Sequence, residues 1–304
     1  MDAKQVEVHP SAVVESGAEL AAGVKIGPFC HVGSEAKLGE GVELLSHVCV
    51  IGDTTVGAGS KIFPNAVIGS DAQNVAYKGE KTSLVVGKNV LIREGVTMNR
   101  GTGNSRGTPL VGDDCIFLAY SHVAHDSIVG NNVTFANNVM IGGHCTIGER
   151  VIIGGGAGVH QFCTVGHHAF IGGIAAVVND VIPFGMVVGS RAFLAGLNLV
   201  GMKRSGMPRE EINAVRAAYK ELFAESDRTL REKASMLKSK IAHSAAVTDM
   251  LDFILTDSKR KVITPITAQK TRDHEGIETC RPAVTKRAAN RPRSNRRPRK
   301  MATE

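Results

Sequence analysis

"VTFANNVMIGGHCTIGERVIIGGGAGV", residues 133–159, puts a large apolar side chain at Phe135, Ile141, Ile147, Ile153 and Val159, one at every sixth position. A period of six fits neither the 3.6-residue period of a helix nor the alternation of a simple strand. Followed in both directions, the phase holds at all twelve positions from Val111 to Val177, and an earlier run holds at all eleven from Val8 to Ile68. Val86, Ile92 and Met98 fall between the two runs. A small residue tends to follow four places later (Ala36, Ser60, Cys115, Cys145, Ala157), and glycine often follows at once, as at Gly142, Gly148 and Gly154. Each hexad therefore reads as one short strand and one turn, with the aliphatic inward and the small residue near the corner. Successive coils stack at about 4.8 Å, giving a parallel β-helix.

The phase breaks twice, at 70–85 and 99–110, and polar, glycine-rich insertions there read as external loops where binding residues tend to sit. After Gly189 the hexads stop. "SGMPREEINAVRAAYKELF" (205–223) predicts a helix capped at Ser205 or Gly206, and two more amphipathic stretches follow near 227–241 and 245–256. The domain reading is 1–189 β-helix, 190–257 helical, and 258–304 a basic tail. Residues 259–304 hold 14 Lys/Arg against 4 Asp/Glu (+10), which leaves 22 minus 25, or −3, for residues 1–258. The tail's low hydrophobicity and like charge predict disorder, and the folded part has no basic surplus to attract nucleic acid. No apolar run reaches the roughly 18 residues of a membrane span, and the N-terminus lacks a signal region, so a cytoplasmic location is expected. Thirty-four glycines and only 4% aromatics demand small-on-small packing. Cys30, Cys115, Cys145 and Cys163 occupy the small inward position, and no CxxC spacing suggests zinc or disulfides.

The pattern resembles the hexapeptide-repeat transferases. That resemblance implies three hexads per coil, a left-handed winding and a homotrimer, so the fold class is an all-β left-handed parallel β-helix with a small C-terminal α-helical domain. On a winding of three hexads, His125, Gly143 and Gln161 stack in one column, and Asp126, His144 and Phe162 in the next. A histidine near its unperturbed pKa is suited to take a proton from a hydroxyl nucleophile; His125 is the chosen base. Asp126 would fix its tautomer, which requires a chain corner at 125–126, because adjacent side chains diverge in an extended strand. Gly143 offers an unobstructed N–H to a developing oxyanion. His167 and His168 read as surface or packing residues.

"IGPFCHVG" (26–33), "HVAHDSIVG" (122–130), "IGGHCTIG" (141–148), "GAGVHQFCTVG" (156–166) and "GLNLVGMKRSG" (196–206) together resemble the UDP-N-acetylglucosamine 3-O-acyltransferases of lipid A synthesis. The resemblance spans residue 8 to about 256. It implies transfer of an (R)-3-hydroxyacyl chain from acyl carrier protein to UDP-N-acetylglucosamine in a cleft between subunits, with the carrier's thioester as co-substrate and neither cofactor nor metal. It also implies substrate contacts from Gln73, His122, His144, His160 and Gln161, nucleotide and donor contacts from Asn198 and Arg204, and an acyl-length position at Gly173, where glycine leaves room for a longer chain. Two departures stand out: Asn74 and Ala76 replace an acid and a base of the family's first loop, and Ser205 stands where a second arginine often follows Arg204. Two other readings remain open, an acyltransferase acting on a 3-amino nucleotide sugar and an inactive trimeric binding paralogue. A zinc-dependent hydratase built on His122, His125 and His144 is a further contrast.

Overall fold

A computed structural model describes residues 5–240 and 244–266. The hexads wind into a left-handed prism with three parallel sheets as its faces. The first face starts at Glu7–Val8, the second at Val13–Val14 and the third at Glu19–Leu20. Each strand pairs in parallel with the strand three hexads on: Val8 with Ile26, Val14 with Val32, Leu20 with Leu38. Where the hexads lose phase the partner lies further along the chain, Leu91 for Lys61 and His122 for Thr97, before the three-hexad spacing returns at His122 and Met140. Both insertions therefore leave the coil as loops, at 71–82 and 100–109, and the stack continues past them with one register shift, between Ile68 and Ser70.

The inward aliphatics form one continuous core from Ile26 to Val187, and the small positions Cys30, Ala36, Ser60, Cys115, Cys145, Ala157 and Cys163 are buried among them. Burial pushes the Cys145 thiol up to about 11 and the Cys163 thiol up to about 12, so both act as compact hydrophobes. Phe117 and Phe135 meet edge to face at 5.0 Å inside the prism.

Corners are made by the residue three places after each aliphatic. Among the described residues, fifteen non-glycine residues lie at φ between +54° and +66°, six of them Asn or Asp. The left-handed region costs an ordinary residue roughly 1–2 kcal/mol, and Asn and Asp enter it most readily. The glycine right after the aliphatic answers to space instead: a Cβ on Gly148 would lie 2.5 Å from the His167 nitrogen of the next coil, and one on Gly154 2.5 Å from that of Gly173.

At its C-terminal end the prism closes. Phe170 pairs with Met186 across a slightly shortened coil, and strand Gly185–Val188 then pairs antiparallel with Phe193–Leu197. Residues 193–197 thus extend the sheet, whereas the sequence reading began the helical part at 190. Among the described residues four helices follow: α1 (Leu199–Arg204), α2 (Arg209–Leu222), α3 (Leu230–Lys240) and α4 (Ala245–Leu255). Ser205, expected to open a helix, instead closes α1, its N–H donating to Gly201 O; α2 starts behind Pro208, with Glu210 and Glu211 in its first turn. A serine after a short turn of helix looks the same in sequence whichever end it caps. Glu211 Oε2 accepts from Ser244 Oγ at 2.7 Å and fastens α4 to α2.

Residues 258–266 differ from the expected tail. The main chain at 261–263 bonds to Asp180, with Asp180 N donating to Lys261 O (2.8 Å) and Ile263 N to Asp180 O (2.7 Å). Ile263 is buried. In sequence, Val262 and Ile263 are masked by the cations just before them and by the charge of the residues after them. Residues 267–304, the rest of the expected tail, lie outside the described residues. Among the described residues no helix is long and apolar enough to cross a membrane.

Candidate active site

The second face ends in a corner after each strand, and three such corners carry the column expected from the three-hexad winding. Asp126 has φ +59°, and the turn brings its carboxylate back onto the neighbouring imidazole: His125 Nδ1 lies 2.9 Å from Asp126 Oδ2. The corner required by the sequence argument is present. Asp126 can only accept, so His125 Nδ1 donates, and in the neutral ring Nε2 is left without a hydrogen as the free base.

Asp126 has a 0% exposed side chain and accepts three further bonds: from Thr102 Oγ1 (2.6 Å), Thr102 N (3.2 Å) and Gly107 N (3.0 Å). Burial raises its carboxyl, but these bonds and the one from His125 outweigh burial and hold it below its ordinary 3.8. One buried carboxylate thus orients the His125 imidazole and ties the 100–109 loop to the coil. The sequence reading missed Thr102 and Gly107. A loop's donors carry no periodic signal.

Gly143 lies one coil above, and a Cβ there would stand 2.5 Å from His125 Cε1 and 2.7 Å from Nε2, so the imidazole lies directly on its Cα. Its N–H has no hydrogen-bond partner among the described residues. In the regular coils the corner itself explains this, since the residue two places after the aliphatic donates to no backbone carbonyl; at the second insertion Arg100 N does donate, to Ser70 O (2.9 Å). Elsewhere a side chain takes the bond, as Glu15 Oε2 does from Ser34 N (3.0 Å). Next to Gly143 stands His144, its N bonded to His125 O (3.0 Å), its ring 5.0 Å from that of His125 and stacked at 4.6 Å on Phe162. Ser105 Oγ lies 3.1 Å from His144 Nδ1. Burial first, opposed by Asp126 and reinforced by His125 and Lys259, keeps His144 below its ordinary value. A pocket of about 390 Å³ opens here, lined by Ser105, Arg106, Asp126, His144 and Thr146.

His122 lies on the same face below Met140, its Nδ1 2.7 Å from Thr97 Oγ1; burial, then His125, lower its pKa. Among the described residues, the group whose ligand atoms all fall within 4.8 Å of one another is His125, Asp126 and His144, not the three imidazoles of the zinc contrast. Gln161 continues the column above Gly143, beside the exposed His160. Arg260 from the C-terminal segment reaches both, donating to Gln161 O (3.0 Å) and lying 2.7 Å from His160 Nδ1. Lys259 Nζ sits 4.2 Å over the Phe162 ring. Neither cation was singled out from sequence, because both were read as tail. Gly173 occupies the opposite edge of the same face above Gly155, where a Cβ would come within 3.2 Å of Gly155 O. Between the two edges the floor is small, Gly158 and then Ala176.

Other expected residues are not brought to this column within one chain. Gln73 lies exposed in the 71–82 loop, and Asn74 Oδ1 accepts from Ala76 N (2.9 Å), so it shapes the loop. Asn198 caps α1 through Gly201 N (2.9 Å) and donates to His168 O (2.9 Å), at a different corner of the prism. Arg204 ends α1, exposed. His167 and His168 pack on Phe184.

Comparison with known proteins agrees with this geometry. Residues 108–143 match the bacterial transferase hexapeptide (six repeats) family, and residues 180–263 match domain 2 of UDP-N-acetylglucosamine O-acyltransferase. A protein of Rhizobium johnstonii named acyl-[acyl-carrier-protein]–UDP-N-acetylglucosamine O-acyltransferase is 52% identical over 268 residues, covering 88% of this chain and 98% of its own. Its namesake from Brucella ovis is 55% identical over 264 residues, covering 86% and 94%. The solved UDP-N-acetylglucosamine acyltransferase of Campylobacter jejuni superposes with a TM-score of 0.81 at 37% identity, covering 86% of this chain and 100% of its own. That of Francisella novicida gives 0.83 at 34%, covering 86% and 96%. With 52% identity over 88% of its length and 98% of the relative's, the chain belongs to the acyl-[acyl-carrier-protein]–UDP-N-acetylglucosamine O-acyltransferase family.

Proposed function

We propose that this protein transfers an (R)-3-hydroxyacyl group from the thioester of acyl carrier protein to the 3-hydroxyl of UDP-N-acetylglucosamine, the first step of lipid A synthesis, in the cytoplasm and without a cofactor. His125 Nε2 takes the proton of the sugar hydroxyl as its oxygen attacks the thioester carbonyl. The imidazolium formed is stabilised by Asp126, which stays charged. Negative charge gathers on the carbonyl oxygen and meets the Gly143 N–H, a contact worth about 3 kcal/mol in such sites. Collapse breaks the carbon–sulfur bond, and the carrier's thiolate leaves with the proton from His125. The carrying observation is the pairing of an oriented, buried His125–Asp126 couple with the unpartnered amide of Gly143.

The acyl chain lies along the small floor of the second face, over Gly158 and Ala176 towards Gly173. His122, His144, His160 and Gln161 line its head. The protein works as a homotrimer, in which a neighbouring subunit supplies Gln73, Asn198 and Arg204. Upper outward columns support subunit contact: Val85, Leu110, Ile116 and Ile152 are each 36–39% exposed on a single chain. Purified protein incubated with UDP-N-acetylglucosamine and a panel of 3-hydroxyacyl carrier proteins is expected to give one mono-acylated nucleotide sugar by mass. Absence of any product over the whole panel contradicts the proposal.

A further inference from the structure

Residues 258–263 are more than the end of a helical domain. Asp180 holds them by its main chain on both sides, and its buried carboxylate accepts from Thr164 N at 2.7 Å. Leu194 N adds a bond to Thr264 O at 3.2 Å. The segment is thus a strap laid across the last coils, and it carries two cations to one side of the His125 column. Lys259 lies over the Phe162 ring; Phe162 stacks on His144 with planes 4° apart, and His144 stands edge-on to His125. Arg260 spans the main-chain oxygen of Gln161 through Nε (3.2 Å) and Nη2 (3.0 Å), and places Nη2 2.7 Å from His160 Nδ1.

The last contact fixes a chemical identity. A guanidinium donates and cannot accept. His160 Nδ1 must therefore be the acceptor, its lone pair turned to Arg260, and the ring hydrogen must sit on Nε2. We propose that Arg260 is a positioning residue that locks His160 as the Nε2–H tautomer, making it a dedicated hydrogen-bond donor to the acyl donor or the nucleotide sugar. The inference rests on the acyl-transfer reading for which substrate His160 meets, while the tautomer itself does not depend on it. His160 Nδ1 also lies 3.2 Å from Gln161 O, a contact that only the opposite tautomer, with the hydrogen on Nδ1, would use; Arg260 competes with it at 2.7 Å and fills the same carbonyl oxygen itself.

Two-bond proton–nitrogen correlations on the histidine-labelled full-length protein read the tautomer directly, with no substrate present. The parent is expected to show His160 with Nε2 protonated and Nδ1 a bonded acceptor, Arg260→Ala a mixture of both tautomers, and Arg260→Lys a return towards one. A proton on Nδ1 in the parent, or the same population in Arg260→Ala, overturns the proposal. Kinetics supply a second arm. Arg260→Ala is expected to raise one substrate's KM about tenfold with kcat within about threefold, the loss of one oriented hydrogen bond. In a His160→Ala background the same change should do nothing further. Additive losses would show that Arg260 acts elsewhere. Should no acyl transfer be found, the tautomer arm still decides the matter, so failure of the reaction and failure of the lock are told apart.

Discussion

The lower coils, up to Ile68, and the upper coils, from Ser83 to Val177, share an interior and differ outside. Below, the outward columns pair opposite charges, Lys25 with Glu7 (3.6 Å), Lys37 with Glu19 (3.6 Å) and Lys61 with Glu43 (2.7 Å), and His31 Nε2 lies 2.7 Å from the Glu15 carboxylate. Above, the same columns carry Leu91, Ile116 and Ile152 on one face and His122, Met140 and Gly158 on another. The corner shows the contrast best. Ser34 and Gly143 occupy equivalent places after second-face strands; the Ser34 amide is taken by the Glu15 carboxylate, while the Gly143 amide, over the His125 imidazole, has no partner among the described residues. In the regular coils one backbone geometry yields an outward amide, and side chains decide whether it is taken up, as at Ser34, or left open, as at Gly143.

The largest effect expected is at the upper corner. His125→Ala should lower kcat by at least about a hundredfold, the usual worth of a positioned base, with the circular dichroism unchanged; activity within a few-fold of the parent would remove the base from the account. Gly143→Ala is the sharper comparison. Its methyl would displace the His125 ring, so a loss on the order of a hundredfold is expected, while Ser34→Ala at the lower corner should leave both activity and stability within about 0.5 kcal/mol. Equal tolerance at both corners would break the contrast.

Asp126→Asn comes next. It places an amide NH2 among donors now satisfied by a carboxylate, and about 2–4 kcal/mol of stability should be lost near neutral pH. The sign with pH follows from the depressed value. A carboxyl held below its ordinary 3.8 stabilises the fold at pH above the unfolded value, about 3.9, and that part is lost as pH falls through the folded value. Urea unfolding should therefore show the gap between parent and variant narrowing below about pH 4; a gap that widens there would contradict the assignment. Smallest of all, Glu43→Gln on the lower coils removes a solvent-exposed pair and should cost under about 1 kcal/mol with no change in kcat.

The coil and its columns were legible because they repeat. A period of six places every inward side chain, and a winding of three hexads then puts Gly143 over His125 by counting alone. What did not repeat stayed hidden. Thr102 and Gly107 reach Asp126 from a loop whose path no periodicity sets. The α1 helix, Leu199–Arg204, is too short to show an amphipathic stripe. Arg260 and Lys259 were lost in a run of charge whose composition suggested disorder, although Val262 and Ile263 beside them supply the pairing and the burial that fix the strap.

The central claim is geometric and can be met directly: the reacting atoms must lie between His125 and Gly143. A crystal structure of the assembled protein with its acylated nucleotide sugar should place the ester oxygen on the sugar within about 2.6–3.2 Å of His125 Nε2, and the acyl carbonyl oxygen in reach of the Gly143 N–H. A product bound with both oxygens on another face of the prism would contradict the account.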